Sequence, residues 1–180
     1  MRYATNYDIG DRKRPAGINE DSVALSVFEQ GHRQGYRGQT RTPETDGVDD
    51  TDGRPANRSA AAFVLADGAG GHEAGDVASY IASTMVCEHL ARVAIRAARA
   101  DPTDFNVSVE RTPPVPTPAD LRESIEGAIN TAHRAIIANA VQSGAGAYTT
   151  VVAGVVANGH LHYGWVGDSR AYVLNRERDT

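Results

Sequence analysis

The spacing of apolar residues changes twice along the chain. Around 22–28, Val23, Leu25 and Val27 alternate with smaller or polar neighbours, the two-residue period of a strand. Residues 60–66 (AAAFVLA) form a continuous apolar run that stops at Asp67, which predicts a buried strand. From 75 to about 99 the period lengthens. Val77, Ile81, Met85, Leu90 and Val93 fall near helical spacing, and Ala78, Ala82 and Val86 widen the stripe. Arg92, Arg96 and Arg99 lie near the end of this helix, where cations suit its dipole. A second helix is predicted from 117 to about 142. Thr117 is its cap, Pro118 lies in its first turn, and Leu121, Ile125, Ala128, Ile129, Ala132 and Ile136 form its apolar face. Ser143-Gly144-Ala145-Gly146 closes it. The strand character then returns. Residues 149–157 (TTVVAGVVA) are β-branched and apolar, Asn158-Gly159 signals a two-residue hairpin, and 161–166 (LHYGWV) is the return strand. Gly167-Asp168-Ser169 reads as a turn and 170–174 as a further strand.

The polar stretches set the boundaries. Residues 3–8 make a weak strand, followed by a turn-rich segment that runs to the acids at 20 and 21. Residues 31–59 carry Gly, Pro, Thr and Asp without apolar periodicity and read as a surface loop or insertion. This stretch contains TDGVDDTDG, but a calcium loop would put Val48 at its first ligand position and Ser59 at its last, so the template fails. Residues 101–116 form a connector rich in proline at its end. Strands, two long helices and then a meander favour an α+β fold over alternating βα units. The expectation is one domain over residues 1–180, with the polar insertion at about 31–59 and no internal repeat.

Composition narrows the function classes. A chain of 180 residues can bury a real core without disulfides or a structural metal. A net charge of −5 argues against a nucleic-acid partner. No apolar run approaches the ~18 residues of a membrane span, and the first residues lack the apolar stretch of a signal peptide. The single cysteine, Cys87, rules out an intrachain disulfide framework, fits a reducing cytoplasm, and is expected to be a small buried residue. Nothing in the sequence sets the oligomeric state.

The candidate chemistry centres on Asp67, at the end of a buried strand and followed by glycines. A phosphate-binding loop needs Lys and Ser/Thr after its second glycine. Gly70 and Gly75 have the right separation, but Asp76 and Val77 stand in those places. The dinucleotide fingerprint fails at Glu73. A metal site fits better. Asp67, the acids of Asn19-Glu20-Asp21, and Asp168 each lie at a strand–turn junction, and three such points can converge at one end of a sheet. Carboxylates with carbonyls and water suit Mg²⁺ or Mn²⁺ rather than zinc. Taken singly, each acid is also ordinary turn chemistry. His160 and His162 share a strand face and read as a surface pair.

Five segments together carry a family resemblance. They are Asp8-Ile9-Gly10, Asn19-Glu20-Asp21-Ser22, Val64-Leu65-Ala66-Asp67-Gly68-Ala69-Gly70-Gly71-His72, Thr149-Thr150, and Val166-Gly167-Asp168-Ser169-Arg170-Ala171-Tyr172. In this order they resemble the metal-dependent protein phosphatases of the type 2C class, and the DGxGGH form resembles the prokaryotic branch. The resemblance implies a four-layer α-β-β-α sandwich with a two-metal site at one edge. It implies hydrolysis of phosphoserine or phosphothreonine in a phosphoprotein substrate, by in-line attack of a water bridging two Mn²⁺ or Mg²⁺ ions. It also implies that Asp67 is the bridging ligand, that Gly68 offers its backbone carbonyl, and that Glu20 and Asp21 bind or orient the second metal and its waters. Asp168 would serve a weaker third ion. Arg14 would hold the substrate phosphate, with Arg12 and Lys13 as rivals.

This sequence departs from the family pattern in three ways. The spacing from the upstream arginine to the acidic pair is longer. Ala69 stands where eukaryotic members carry a histidine, and His72 three residues later reads as a capping or orienting residue. The family's two later metal aspartates, in an Asp-Gly and an Asp-Asn motif, have no counterpart before Thr180, so the domain is expected to be incomplete at its C-terminus. The competing expectations are a catalytically inactive fragment or pseudophosphatase acting as an interaction module, and a nucleotide-binding protein using the glycine turn.

Overall fold

The structure, a computed structural model, describes residues 19–29, 32–38, 59–69, 74–99 and 116–174. Its strands are β1 (Asp21–Glu29), β2 (His32–Gly38), β3 (Ala60–Ala69), β4 (Tyr148–Thr149), β5 (Val151–Ala157) and β6 (His160–Val166), and its helices are α1 (Ala74–Arg99) and α2 (Pro118–Ser143). The strands form one antiparallel sheet in the order β2-β1-β3-β5-β6, with β4 paired to the end of β3. The fold is α+β, as the order of elements predicts.

The two faces of the sheet differ. On one face, Ala24 of β1, Ala62, Val64 and Ala66 of β3, and Ala153 and Val155 of β5 are buried against α1. That helix supplies Ala78, Ala82, Val86, Leu90 and Ala94. Small residues on both sides let the helix lie close to the sheet, and the few larger ones fill the remaining space. α2 lies beside α1 and buries Leu121, Ile125, Ala128, Ala132 and Ile136, the face its periodicity predicts. A seam of small polar groups runs through this layer. Ser22 Oγ lies 2.7 Å from Ser83 Oγ. Cys87, buried as expected, lies with its Sγ 3.7 Å from Ser26 Oγ. The other face carries a smaller cluster of Leu25, Val27 and Ala61, with Phe63 and Val156 against it. Along β6 this face exposes Leu161, Tyr163 and Trp165.

Local signals account for the element ends. Thr117 caps α2 in a reciprocal box. Its backbone N–H donates to Asp120 Oδ2 at 2.7 Å, and Asp120 N–H donates back to Thr117 Oγ1 at 3.2 Å. Asn158 and Gly159 have φ of 53° and 77°, as the tight turn between β5 and β6 requires.

The structure corrects three expectations. The stretch 31–59 does not begin as a loop, because β2 occupies His32–Gly38 and pairs along β1 from Glu29↔His32 to Val23↔Gly38. Among the described residues it lies at the sheet edge, paired to β1 by the backbone ladder, and its polar sequence lacks the apolar alternation that would have predicted it. The run 149–157 is interrupted at Thr150, which separates β4 from β5. Residues 170–174 carry no strand, and Tyr172, Val173 and Leu174 are exposed. Their β-type composition finds no ladder partner among the described residues, and a strand without one is not stable. The expected strand at 3–8 lies outside the described residues. Those residues contain one sheet with its helices on a single face, and none of their helices is long and apolar enough to cross a membrane.

Candidate active site

The acids gather at the end of the sheet where β1 begins and β3 ends. In the β1–β3 register Asp21 stands directly opposite Asp67. Alternation then sorts the side chains. Ser22 and Ala66 face α1, so Asp21 and Asp67 share the opposite face, with Asp67 exposed and Asp21 half-buried. Glu20 goes the other way. It is 7% exposed, and an ideal Cβ at Gly75 would lie 3.1 Å from its Oε1, which places the carboxylate beside the first turn of α1. A negative charge there is favoured by the helix dipole. Two acids adjacent in sequence are thus turned to opposite sides of the sheet. Asn19 sets the turn into β1, its Oδ1 accepting from Asp21 N–H at 3.1 Å.

Gly68 draws three segments together. Its N–H donates to the Glu20 carbonyl at 3.1 Å. A Cβ at this position would overlap the Gly75 carbonyl oxygen and lie 2.5 Å from the Glu20 carbonyl oxygen. Only glycine lets the end of β3 pass between the start of β1 and the first turn of α1.

The other side of Asp67 is held by threonines. Thr150 N–H donates to the Asp67 carbonyl at 2.8 Å, and Asp67 N–H donates to Thr150 Oγ1 at 3.3 Å. The Thr149 hydroxyl also donates to the Asp67 carbonyl, at 3.1 Å. The same hydroxyl lies 2.9 Å from the Thr150 carbonyl, so its one proton is shared between the two carbonyls, while the Asp67 backbone is held on both its N–H and its C=O. Beyond Thr150 the β5–β6 ladder leads to Gly167 and Asp168. Thr150 Oγ1 lies 2.6 Å from Ser169 Oγ. Gly167 has φ of 100° and would place a Cβ 2.7 Å from Thr150 Cγ2, so the turn that carries Asp168 also needs glycine.

The structure thus brings Asp21, Asp67 and Gly68 to one sheet end, carries the Asp168 turn alongside through Thr150, and turns Glu20 onto the helical side. Among the described residues no three acids, histidines or cysteines lie close enough together to enclose a cation. The opposed pair Asp21 and Asp67 still fits a hard divalent ion. A cation between like charges opposed across a ladder relieves their repulsion, and the donors are carboxylate oxygens without histidine or sulfur. Arg12, Lys13, Arg14 and His72 lie outside the described residues.

A family model for protein phosphatase 2C matches residues 40–180. The chain belongs to the protein phosphatase 2C family. No curated protein and no solved structure matches it. Asp67, Gly68, Thr149, Thr150 and Asp168 lie inside the matched stretch, whereas Arg14, Glu20 and Asp21 precede it. β1 is nevertheless hydrogen-bonded into the same sheet as the matched β3, which brings Asp21 to the phosphatase-family residues in space. The sequence offered no role for Thr149, Thr150 or Ser169. Their position inside two of the resemblance segments was the only signal, and the hydrogen bonds around Asp67 give it a physical content.

Proposed function

We propose that this chain is a metal-dependent protein serine/threonine phosphatase acting on phosphoproteins with Mn²⁺ or Mg²⁺. The observation that carries the reading is the Asp21–Asp67 pair, opposed across the β1–β3 ladder in a member of the protein phosphatase 2C family. When bound, the divalent ions supply a hydroxide nucleophile at neutral pH and neutralise charge on the phosphoryl group. The chain's own residues do the rest. The Asp67 carboxylate, its backbone locked by Thr149 and Thr150, is the central ligand. Asp21 holds the ion from the neighbouring strand, with Gly68 contributing its backbone carbonyl. Glu20 acts at the boundary between the site and the first turn of α1, orienting water at the second ion. Asp168 serves a weaker ion from its turn. Arg14 binds the substrate phosphate with its forked guanidinium.

We further propose that the sheet with its two helices is one half of a four-layer α-β-β-α sandwich. In this arrangement residues 1–180 belong to a single domain whose polar insertion follows β2. A cytoplasmic location fits the lone buried Cys87.

A second reading, an interaction module without catalysis, is favoured by one observation. Leu161, Tyr163 and Trp165 form an exposed apolar row on β6. One experiment separates the two readings: Mn²⁺-dependent hydrolysis of p-nitrophenyl phosphate by the wild-type chain and by Asp67→Ala. The phosphatase reading expects a rate that vanishes in the variant. A wild-type rate no higher than that of Asp67→Ala would reject it and leave the interaction module.

A further inference from the structure

Thr150 touches both acid-bearing segments at the sheet end, through its backbone N–H, its hydroxyl and its methyl group. Its backbone N–H donates to the Asp67 carbonyl at 2.8 Å. Its hydroxyl oxygen accepts from Asp67 N–H at 3.3 Å and lies 2.6 Å from Ser169 Oγ. Its methyl carbon lies against Gly167, where a Cβ would come within 2.7 Å of Thr150 Cγ2. Regular pairing lapses at this point: β4 ends at Thr149, β5 starts at Val151, and the β5–β6 ladder closes at Val151↔Val166. Side-chain bonds take over where backbone pairing stops. The hydroxyl can serve both neighbours because it offers one donor and two acceptor lone pairs.

We propose that Thr150 is a positioning residue that couples Asp67 to the turn 167–169, so that the Asp67 and Asp168 carboxylates are presented as one unit. The purpose of that unit rests on the metal-dependent reading, whereas the coupling itself does not. Without the hydroxyl, the Asp67 amide and Ser169 each lose a partner, and the turn bearing Asp168 keeps its packing on Thr150 at Gly167 but no hydrogen bond to it. Thr150→Ser keeps the hydroxyl and removes the methyl. Thr150→Val keeps the shape and removes the hydroxyl.

The test is amide hydrogen exchange on the full chain, read at 66–68 and 167–170, for wild type, Thr150→Val, Thr150→Ser and Ser169→Ala. A lost hydrogen bond at a locally opening site raises exchange by about tenfold. Thr150→Val is expected to speed exchange by about that factor in both segments together, and Thr150→Ser to restore wild-type protection. Ser169→Ala, which spares β3 and β5, is expected to loosen 167–170 alone, and it decides the matter if Thr150→Val does not fold. Wild-type exchange in Thr150→Val, or equal loosening in the serine and valine variants, overturns the proposal. A parallel titration reads the Mn²⁺ concentration for half-maximal hydrolysis. It is expected to rise in Thr150→Val with Thr150→Ser near wild type, and an unchanged value overturns the functional half. If wild type shows no Asp67-dependent hydrolysis, the phosphatase reading fails while the exchange result still decides the coupling.

Discussion

Asp21 stands directly across the β1–β3 ladder from Asp67, on the face of the sheet turned away from α1. Opposed like charges disfavour a strand pair by up to about 1 kcal/mol, and a cation lying between the two carboxylates would relieve that repulsion. With millimolar Mn²⁺, wild type is expected to gain stability and Asp21→Asn to gain much less, because binding to the folded state alone shifts the equilibrium. Differential scanning fluorimetry with and without Mn²⁺ reads both arms. Equal Mn²⁺ stabilisation of the two proteins would remove Asp21 from the site.

Gly68 makes a second, purely steric prediction. Any side chain there meets the backbone oxygens of Gly75 and Glu20, neither of which can rotate away. Gly68→Ala is expected to cost about 1–3 kcal/mol, the range for forcing atoms into a filled site. The urea midpoint measures this. A midpoint within error of wild type would mean that β3, β1 and α1 do not meet as closely as described.

The cap of α2 carries a pH dependence whose sign can be worked out. The Thr117 backbone N–H bond and, after it, the Thr117 hydroxyl hold the Asp120 carboxyl below its ordinary range. A carboxyl whose folded value is depressed adds stability above its unfolded value, near 4, and loses it as pH falls through the folded value. Urea midpoints of wild type and Asp120→Asn should therefore differ at neutral pH and converge in acid. Thr117→Ala removes the cap itself and is expected to cost ~1 kcal/mol at neutral pH. A constant gap between wild type and Asp120→Asn across the pH range would show that the carboxylate is not the group responsible.

What the sequence made legible follows the range of the interactions. The Thr117–Asp120 box and the Asn158-Gly159 turn are encoded within four residues, and both form where their residues predict. The long helices were legible because each buries a stripe of fixed period. β2 was not, because an edge strand can be held by its backbone and needs no apolar signature. Residues 170–174 had that signature and form no strand, because composition cannot supply a partner. At the site, Asp67 stood out by its glycines, but its relation to Asp21 and Thr150 depends on register across neighbouring strands. Glu20 and Asp21, treated together as sequence neighbours, are separated by the pleat.

Trp165 gives the last prediction. It is the only tryptophan in the chain, it stacks on Tyr163 with ring centroids 6.0 Å apart, and it is 61% exposed on the face away from the helices. Its fluorescence therefore reports whether that face is covered. The described arrangement predicts the red-shifted emission of a wet indole, readily quenched by iodide. Binding of an apolar partner, or assembly of the second half of the proposed sandwich, would bury the Leu161–Tyr163–Trp165 row, shift the emission to the blue and protect it. Burying a side chain of this size contributes about 3 kcal/mol, so the face is a strong driver of whichever association covers it. A blue-shifted, iodide-insensitive emission from the chain alone would mean that residues 1–180 already cover this face themselves. The exposed row would then no longer support the interaction-module reading.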